Sequence, residues 1–139
     1  MSPIIGRARE LAELERLLSS SRLVTVVGPA GCGKTRLALV AGVSRRAVFV
    51  DLAPVRSAAQ VIACVARSCG LRDHGAVGLA ATLRAHLADR EAVLLLDNVE
   101  HVLDAAVDVA ELLATCRGVR VLATSRAPMR IEGEQLLPI

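Results

Sequence analysis

The segment at residues 28–35 reads GPAGCGKT and matches the pattern G-x-x-x-x-G-K-[ST]. In a loop of this type, successive backbone N–H groups curl around phosphate oxygens, which requires positions without Cβ conflict. Gly28, Gly31 and Gly33 meet that requirement. A β-branched apolar run precedes the loop and a helical pattern follows it, which is the context that the pattern needs. The spacing therefore predicts a loop that holds nucleotide phosphates.

Two side chains of this loop add the chemistry that its backbone cannot supply. Lys34 is expected to reach the β- and γ-phosphates, and the Thr35 hydroxyl is expected to bind Mg²⁺. The helix that starts near Gly33 points the positive end of its dipole at the same anion. Lys34 is also the one lysine among 17 basic residues, the others all being arginine. A general preference for arginine does not explain this exception.

A second anchor for the metal is expected at the end of a neighbouring strand. Residues 93–97 read VLLLD, a buried-strand pattern that ends in Asp97. The next residue is Asn98, which cannot take a proton from an attacking water molecule, although it can hold one by hydrogen bonds. Glu100 is the nearest acid, but an N-cap at Asn98 with Glu100 in the first helical turn would explain both residues structurally. This arrangement predicts slow or partner-dependent hydrolysis.

A further strand pattern, at residues 118–125, delivers polar groups to the same edge. It ends in Thr124 and Ser125 and is followed by Arg126. Ligands of open α/β sheets bind outside the carboxyl ends of the strands, so we expect Arg126 to sense or stabilise the γ-phosphate. Lys34, Asp97 and Arg126 are therefore the candidates for catalysis.

Helical and strand patterns alternate along the chain. Helices are predicted over residues 7–20, 33–43, 57–70, 78–90 and 99–116, and strands over residues 22–28, 47–52, 92–97, 118–125 and 134–139. Apolar strands alternating with helices indicate an α/β fold with a covered, mostly parallel sheet of about five strands. The strand at 47–52 also suggests a sheet in which another strand lies between the strand before the loop and the Asp97 strand.

The composition excludes several other classes of protein. The chain has 139 residues, which suits one domain, and no apolar run approaches the ~20 residues of a membrane span. Four cysteines without metal-ligand spacing predict free thiols, and with no signal peptide a cytoplasmic location is expected. A single aromatic residue argues against a base-stacking surface, and the Arg45-Arg46 pair is expected in a solvated loop.

Four segments in order, IIGRARELAELERLL, VTVVGPAGCGKTRLAL, VLLLDNVEHVLDA and VRVLATSRAPMRIEGEQLLPI, resemble the nucleotide-binding core of STAND signalling ATPases. These proteins are relatives of the NB-ARC and AAA+ proteins. Within them the sequence is most similar to large bacterial LuxR-type and SARP-type transcriptional regulators. The resemblance implies a three-layer P-loop NTPase fold with strand order 5-1-4-3-2 and a role as an ATP/ADP-dependent switch.

The resemblance also implies roles for individual residues. Ile5, Gly6 and Arg7 match an apolar-Gly-Arg segment that lies beside the adenine, and Arg126 matches a phosphate-sensing arginine. The loop residues expected to bind ATP or ADP are Gly28, Pro29, Ala30, Gly31, Cys32, Gly33, Lys34, Thr35 and Arg36. Thr35 and Asp97 are the expected Mg²⁺ ligands. Ala127 departs from many relatives, which have an acid after the sensing arginine, and nothing firm follows from it.

Members of this family continue into helical and winged-helix segments that close over the nucleotide, and then into sensor or DNA-binding domains. The sequence contains none of these, so residues 1–139 are expected to form a single nucleotide-binding domain, the N-terminal fragment of a longer regulator. The expected partners are other domains of that regulator or other proteins, with nucleotide-dependent self-association. Neither a membrane nor direct nucleic-acid contact is expected.

Two other functions compete with a switch. One is a small P-loop enzyme, either a phosphotransferase or an ATP-driven motor. A small kinase would need an arginine-rich lid and an acid beside the acceptor hydroxyl; Asp51 could supply the acid, but no arginine-rich lid follows. Direct DNA binding would need sequence beyond this chain, because no helix-turn-helix pair remains once the helices are assigned to the sheet.

Overall fold

The computed structural model describes residues 7–72 and 78–139, so the predicted adenine contacts Ile5 and Gly6 lie outside the described residues. The helices are α1 (Ala8–Ser20), α2 (Lys34–Ser44), α3 (Ala58–Ser68), α4 (Leu79–Leu87) and α5 (Ala106–Thr115), with a 3₁₀ helix at Val99–Ala105. The strands are β1 (Leu23–Val27), β2 (Val48–Asp51), β3 (Ala92–Asp97), β4 (Val119–Ser125) and β5 (Gln135–Pro138). Each predicted strand is present, within two residues of its expected bounds.

The five strands form one parallel sheet in the order β2-β3-β4-β1-β5. Numbered from the other edge this is 5-1-4-3-2, which confirms the expected α/β fold and strand order. The strand between β1 and β3 is β4, so another strand does separate the loop strand from the Asp97 strand. Because all strands run the same way, their carboxyl ends lie together at one edge of the sheet.

A separate apolar core covers each face of the sheet. On one face, Leu14 of α1 and Leu37 of α2 pack with Leu95 and Leu122 of the central strands. On the other face, Leu94 belongs to a larger core that α3, α4, α5 and the 3₁₀ helix complete. Side chains alternate between the faces of a strand, which is why neighbouring leucines of β3 enter different cores. Each buried leucine contributes about 1.5–3 kcal/mol to folding.

The predicted continuous helix at residues 99–116 is broken in the structure. A 3₁₀ helix occupies Val99–Ala105, and Val102 within it has non-helical angles, φ −134° and ψ 39°. Asn98 is left-handed, with φ 66° and ψ 55°, whereas an N-cap residue needs extended backbone. Its side-chain amide donates to Asp97, and its side chain accepts no capping hydrogen bond from the helix. The expectation that Asn98 caps a helix is therefore wrong.

Arginine side chains stabilise the opposite, amino edge of the sheet. Arg22 donates hydrogen bonds to Leu113 and Cys116 carbonyl oxygens at the end of α5, and Arg120 caps the end of α1 through two other carbonyls. Arg46 is exposed as expected, but Arg45 is half-buried and bonds Glu15 and Ser19 of α1. The prediction of a solvated Arg45-Arg46 pair is thus correct for Arg46 only.

All four cysteines are free thiols, one of them buried and the others partly buried. Among the described helices, none combines the length and the apolar character needed to cross a membrane.

Candidate functional site

Three segments that were predicted to carry chemistry meet at the carboxyl edge of the sheet. The phosphate-loop segment follows β1, Asp97 ends β3, and Arg126 follows β4. The loop is bonded directly to the end of β4, because the Gly28 N–H donates to the Ser125 carbonyl at 3.2 Å. Arg126 is the residue that follows Ser125. The fold therefore brings Lys34, Thr35, Asp97 and Arg126 to one edge.

At each glycine of the loop, the structure shows a steric reason why a residue with a Cβ would not fit. Gly31 and Gly33 have positive φ angles of 78° and 93°, which residues with a Cβ rarely adopt. At Gly28 the reason is space, since an added Cβ would lie 2.8 Å from the Ile139 carbonyl oxygen and 2.9 Å from the Cys32 sulfur. The loop backbone is thus held close to the end of β5, a constraint that the sequence pattern does not reveal.

Lys34 begins α2 and is buried beneath the loop, with 8% of its surface exposed. Its Nζ donates to the carbonyl oxygens of Gly28 and Pro29, at 2.7 Å and 2.9 Å. Within the described residues Lys34 forms no ion pair. A buried ammonium that meets only neutral acceptors is poorly compensated, and an anion bound in the loop would supply the missing charge.

Asp97 is the centre of a hydrogen-bond network and is 4% exposed. Its Oδ1 accepts from the hydroxyls of Thr35, at 2.8 Å, and Thr124, at 2.6 Å. Its Oδ2 accepts from the Asn98 amide at 3.1 Å. These bonds join α2, β3 and β4 at a single carboxylate. The network also gives Asn98 a role, which is to orient Asp97.

The residues present fit a magnesium-nucleotide complex. Mg²⁺ prefers oxygen ligands, and the Thr35 hydroxyl lies 2.8 Å from the Asp97 carboxylate, so one ion could reach both. When bound, Mg²⁺ would neutralise charge on the phosphates and polarise them. The loop N–H groups and Lys34 would then hold the phosphates, while Thr124 and Asn98 hold Asp97 through their hydrogen bonds.

Arg126 and Glu100 are joined at the same edge. Arg126 is exposed, and its backbone N–H donates to Glu100 Oε1 at 3.1 Å. Glu100 lies in the 3₁₀ helix and is partly buried. The carboxylate that was the nearest alternative base is therefore engaged by the backbone of the expected sensing arginine.

Arg7 lies against the loop itself. Its guanidinium donates to the Cys32 carbonyl oxygen and, at 3.1 Å, to Glu10 of α1. An ideal Cβ on Gly33 would lie 3.6 Å from the same guanidinium. The resemblance implies that Arg7 lies beside the adenine. In the structure its guanidinium contacts the backbone of the phosphate loop and the Glu10 side chain.

The other predicted loop residues surround this centre. Pro29, Ala30 and Arg36 are exposed, and Cys32 is partly buried. Pro29 takes part through its backbone, because its carbonyl accepts from Lys34.

The hydrogen-bonding roles of two residues could not be predicted from the sequence alone. Thr124 was expected at the edge, but its bond to Asp97 and complete burial were not. Glu134 accepts from the Thr25 hydroxyl and from the N–H groups of Met129 and Arg130, and so holds the loop that follows Arg126. No motif signals this carboxylate, because Thr25 precedes it by 109 positions.

A parallel sheet of this order, with a phosphate loop after β1 and an acid at the end of β3, defines a P-loop ATPase core. The comparison of sequences identifies the group within that class. Residues 16–131 match the AAA_22 family, described as an AAA domain, and the chain belongs to this family.

Two mycobacterial relatives illustrate the context of such domains. A Mycobacterium bovis protein named as an HTH-type transcriptional regulator is 43% identical over 126 residues, which are 87% of this chain and 14% of that protein. An uncharacterised protein of the same organism is 35% identical over 141 residues, 96% of this chain and 36% of its own length. The chain thus spans a minor part of each relative.

Solved structures share the fold at low sequence identity. Cdc6p from Pyrobaculum aerophilum has a TM-score of 0.69 and 16% identity, over 99% of this chain and 46% of that one. A STAND protein with a tetratricopeptide repeat sensor from Pyrococcus horikoshii has a TM-score of 0.62 and 20% identity, over 99% of this chain and 23% of that one. At these identities the likeness concerns the fold alone.

Proposed function

We propose that this AAA domain is an ATP/ADP-binding switch of a signalling or transcriptional regulator, with slow or partner-dependent hydrolysis. The observation that carries the proposal is the environment of Asp97. Its three described hydrogen-bond donors are neutral, and the adjacent residue is Asn98 rather than a second acid. Such a site can hold a metal and phosphates, while the group that deprotonates the attacking water is missing beside Asp97.

The regulatory part of the proposal draws support from the resemblance to STAND, NB-ARC and LuxR-type proteins. It is also supported by the named HTH-type regulator, which is much longer than this chain. In this proposal the partners are other domains of the same regulator or other cytoplasmic proteins, and nucleotide state controls self-association. The nucleotide enters with Mg²⁺ held by Thr35 and Asp97, with Arg126 sensing the terminal phosphate and Arg7 beside the adenine.

The alternative, a small phosphotransferase, is favoured by one feature. Asp51 is exposed at the end of β2 and is paired in register with Asp97, so an acceptor hydroxyl could meet an acid there. Incubation with radiolabelled ATP and a panel of common acceptors would detect it. Transfer to an acceptor that an Asp51→Asn variant abolishes would establish the enzyme in place of the switch.

Binding of ATP and ADP to the full chain tests the leading proposal. The Lys34→Ala variant is expected to weaken the affinity for both nucleotides about 10- to 100-fold, since one charge-assisted phosphate contact is lost. Arg67→Ala, at an exposed position of α3, is the matched control and should leave both affinities unchanged. Full affinity in the Lys34→Ala variant would refute nucleotide binding by this loop.

A further inference from the structure

Two hydrogen bonds tie the segment after β3 to the segment that ends β4. The Asn98 N–H donates to the Thr124 hydroxyl at 3.0 Å, and the Arg126 N–H donates to Glu100 Oε1 at 3.1 Å. They run in opposite directions, one from each segment. The two segments are therefore clamped reciprocally at the edge that carries the phosphate loop.

The backbone conformation of Asn98 is what brings Glu100 to this position. The left-handed turn at Asn98 ends β3, and the buried Val99 anchors the start of the 3₁₀ helix, with 1% of its surface exposed. Asparagine tolerates this conformation better than most residues. Glu100 is thus presented toward the end of β4 by a fixed turn rather than by a flexible loop.

A carboxylate that accepts from a backbone N–H makes a stronger bond than a neutral acceptor does. Arg126 itself is exposed, and its backbone N–H is held by Glu100 in the segment that follows β3. Just beyond it, the Ser125 hydroxyl accepts from the Ala127 N–H at 3.2 Å. The start of the loop that bears the Arg126 side chain therefore depends on Glu100.

We propose that Glu100 is a positioning residue, which holds the backbone of Arg126 so that its guanidinium meets the terminal phosphate of ATP, and that it is not the base for hydrolysis. This inference rests on the proposed function, because it assigns the discrimination between ATP and ADP to the pair of Glu100 and Arg126. It predicts that the two residues act as one unit.

Conservative and truncating substitutions separate positioning from proton transfer. A glutamine at position 100 can still accept from the Arg126 N–H but cannot act as a base, and an alanine can do neither. We therefore expect Glu100→Gln to keep the ATP/ADP affinity ratio and the single-turnover rate within about threefold, whereas Glu100→Ala lowers the ratio about five- to thirtyfold. Glu111→Ala, at an exposed glutamate of α5, is the matched control.

The affinity ratios of the full chain, Glu100→Ala, Arg126→Ala and the double variant complete the test. Residues that act as one unit are non-additive, so the double variant should lose no more than Arg126→Ala alone. Additive losses would overturn the inference, as would Glu100→Gln abolishing hydrolysis at unchanged affinity. An unchanged ATP/ADP affinity ratio in Arg126→Ala would overturn the inference too. If Lys34→Ala loses nucleotide binding in the same experiments, the proposed function stands even where this inference fails.

Amide hydrogen exchange without nucleotide tests the clamp independently of activity. Exchange at the Arg126 amide should be faster in Glu100→Ala by about tenfold and close to the original rate in Glu100→Gln, with global stability measured in parallel. An equal exchange rate in all three proteins would overturn the clamp.

Discussion

The two edges of the sheet both pair basic side chains with backbone carbonyl oxygens, but the carbonyls differ in kind. At the amino edge, Arg22 donates to the Leu113 and Cys116 carbonyls, at 2.7 Å and 2.8 Å, where α5 ends. At the carboxyl edge, Lys34 donates to two carbonyls of a loop. Carbonyls at a helix end have no partner within the helix and carry the negative end of its dipole, so they are permanent partners for a cation.

The difference explains why one lysine stands among sixteen arginines. A guanidinium is a planar fork that can bond several carbonyls at once, which suits a fixed cap. An ammonium is a compact charge on a flexible stem, which suits a position whose acceptor changes when a nucleotide enters. We infer that the amino edge is built for stability and the carboxyl edge for exchange of partners.

Removing the cap at the amino edge should have the largest effect on folding. Arg22→Ala deletes three hydrogen bonds to carbonyls and leaves their oxygens partly buried, so we expect the free energy of unfolding to fall by about 3 kcal/mol. Urea denaturation measures this, with Arg117→Ala, an exposed arginine, as the control expected to change little. A loss below about 1 kcal/mol would show that the cap is dispensable.

Exchanging the two cations should separate the role of each edge of the sheet. Lys34→Arg should lower ATP affinity about tenfold, because a planar guanidinium does not reproduce the compact contact of an ammonium with the phosphates, while the free energy of unfolding changes by less than about 1 kcal/mol because the charge and the carbonyl acceptors are kept. Arg22→Lys should instead lose about 1–2 kcal/mol of stability and keep its ATP affinity. Isothermal titration measures the ATP affinity of each variant, and urea denaturation measures its free energy of unfolding. A loss of stability without a loss of affinity in Lys34→Arg, together with a loss of affinity in Arg22→Lys, would refute the separate roles of the two edges.

A smaller, pH-dependent effect is expected from Cys69, just after α3. Burial raises the pKa of this half-buried thiol. Below the unfolded value of about 8.5 both states keep the proton and the contribution to stability is complete; as pH rises, the unfolded thiol ionises first and stability is lost. As pH rises above about 8.5, Cys69→Ala should therefore lose less stability than the original chain. If the free energies of unfolding of the original chain and of Cys69→Ala fall equally as pH rises, this effect is contradicted.

Much of this molecule could be predicted from the sequence, because the deciding information is local. Apolar strands followed by helical patterns specify the parallel sheet, and the loop glycines specify backbone that other residues cannot adopt. Lys34, Thr35 and Asp97 follow from the phosphate-binding pattern and the strand that ends in an acid. These features depend on a few consecutive residues each.

The remaining features depend on partners far apart in the sequence. The sequence pattern predicted a helix cap at Asn98, whereas in the structure its backbone N–H donates to the Thr124 hydroxyl, 26 positions away. The bond from Arg126 to Glu100 spans 26 positions, and the bonds from Arg22 to the end of α5 span more than 90. Such contacts are created by the strand order, so a local pattern carries no sign of them.

The steady-state ATP turnover of the full chain with Mg²⁺ decides whether the nucleotide site holds ATP and hydrolyses it slowly. The Lys34→Ala variant serves as the blank for contaminating ATPases. We expect a turnover number below about one per second for the chain alone, closer to an unstimulated P-loop switch than to a kinase. A turnover of about ten per second or more, abolished by Lys34→Ala, would contradict it.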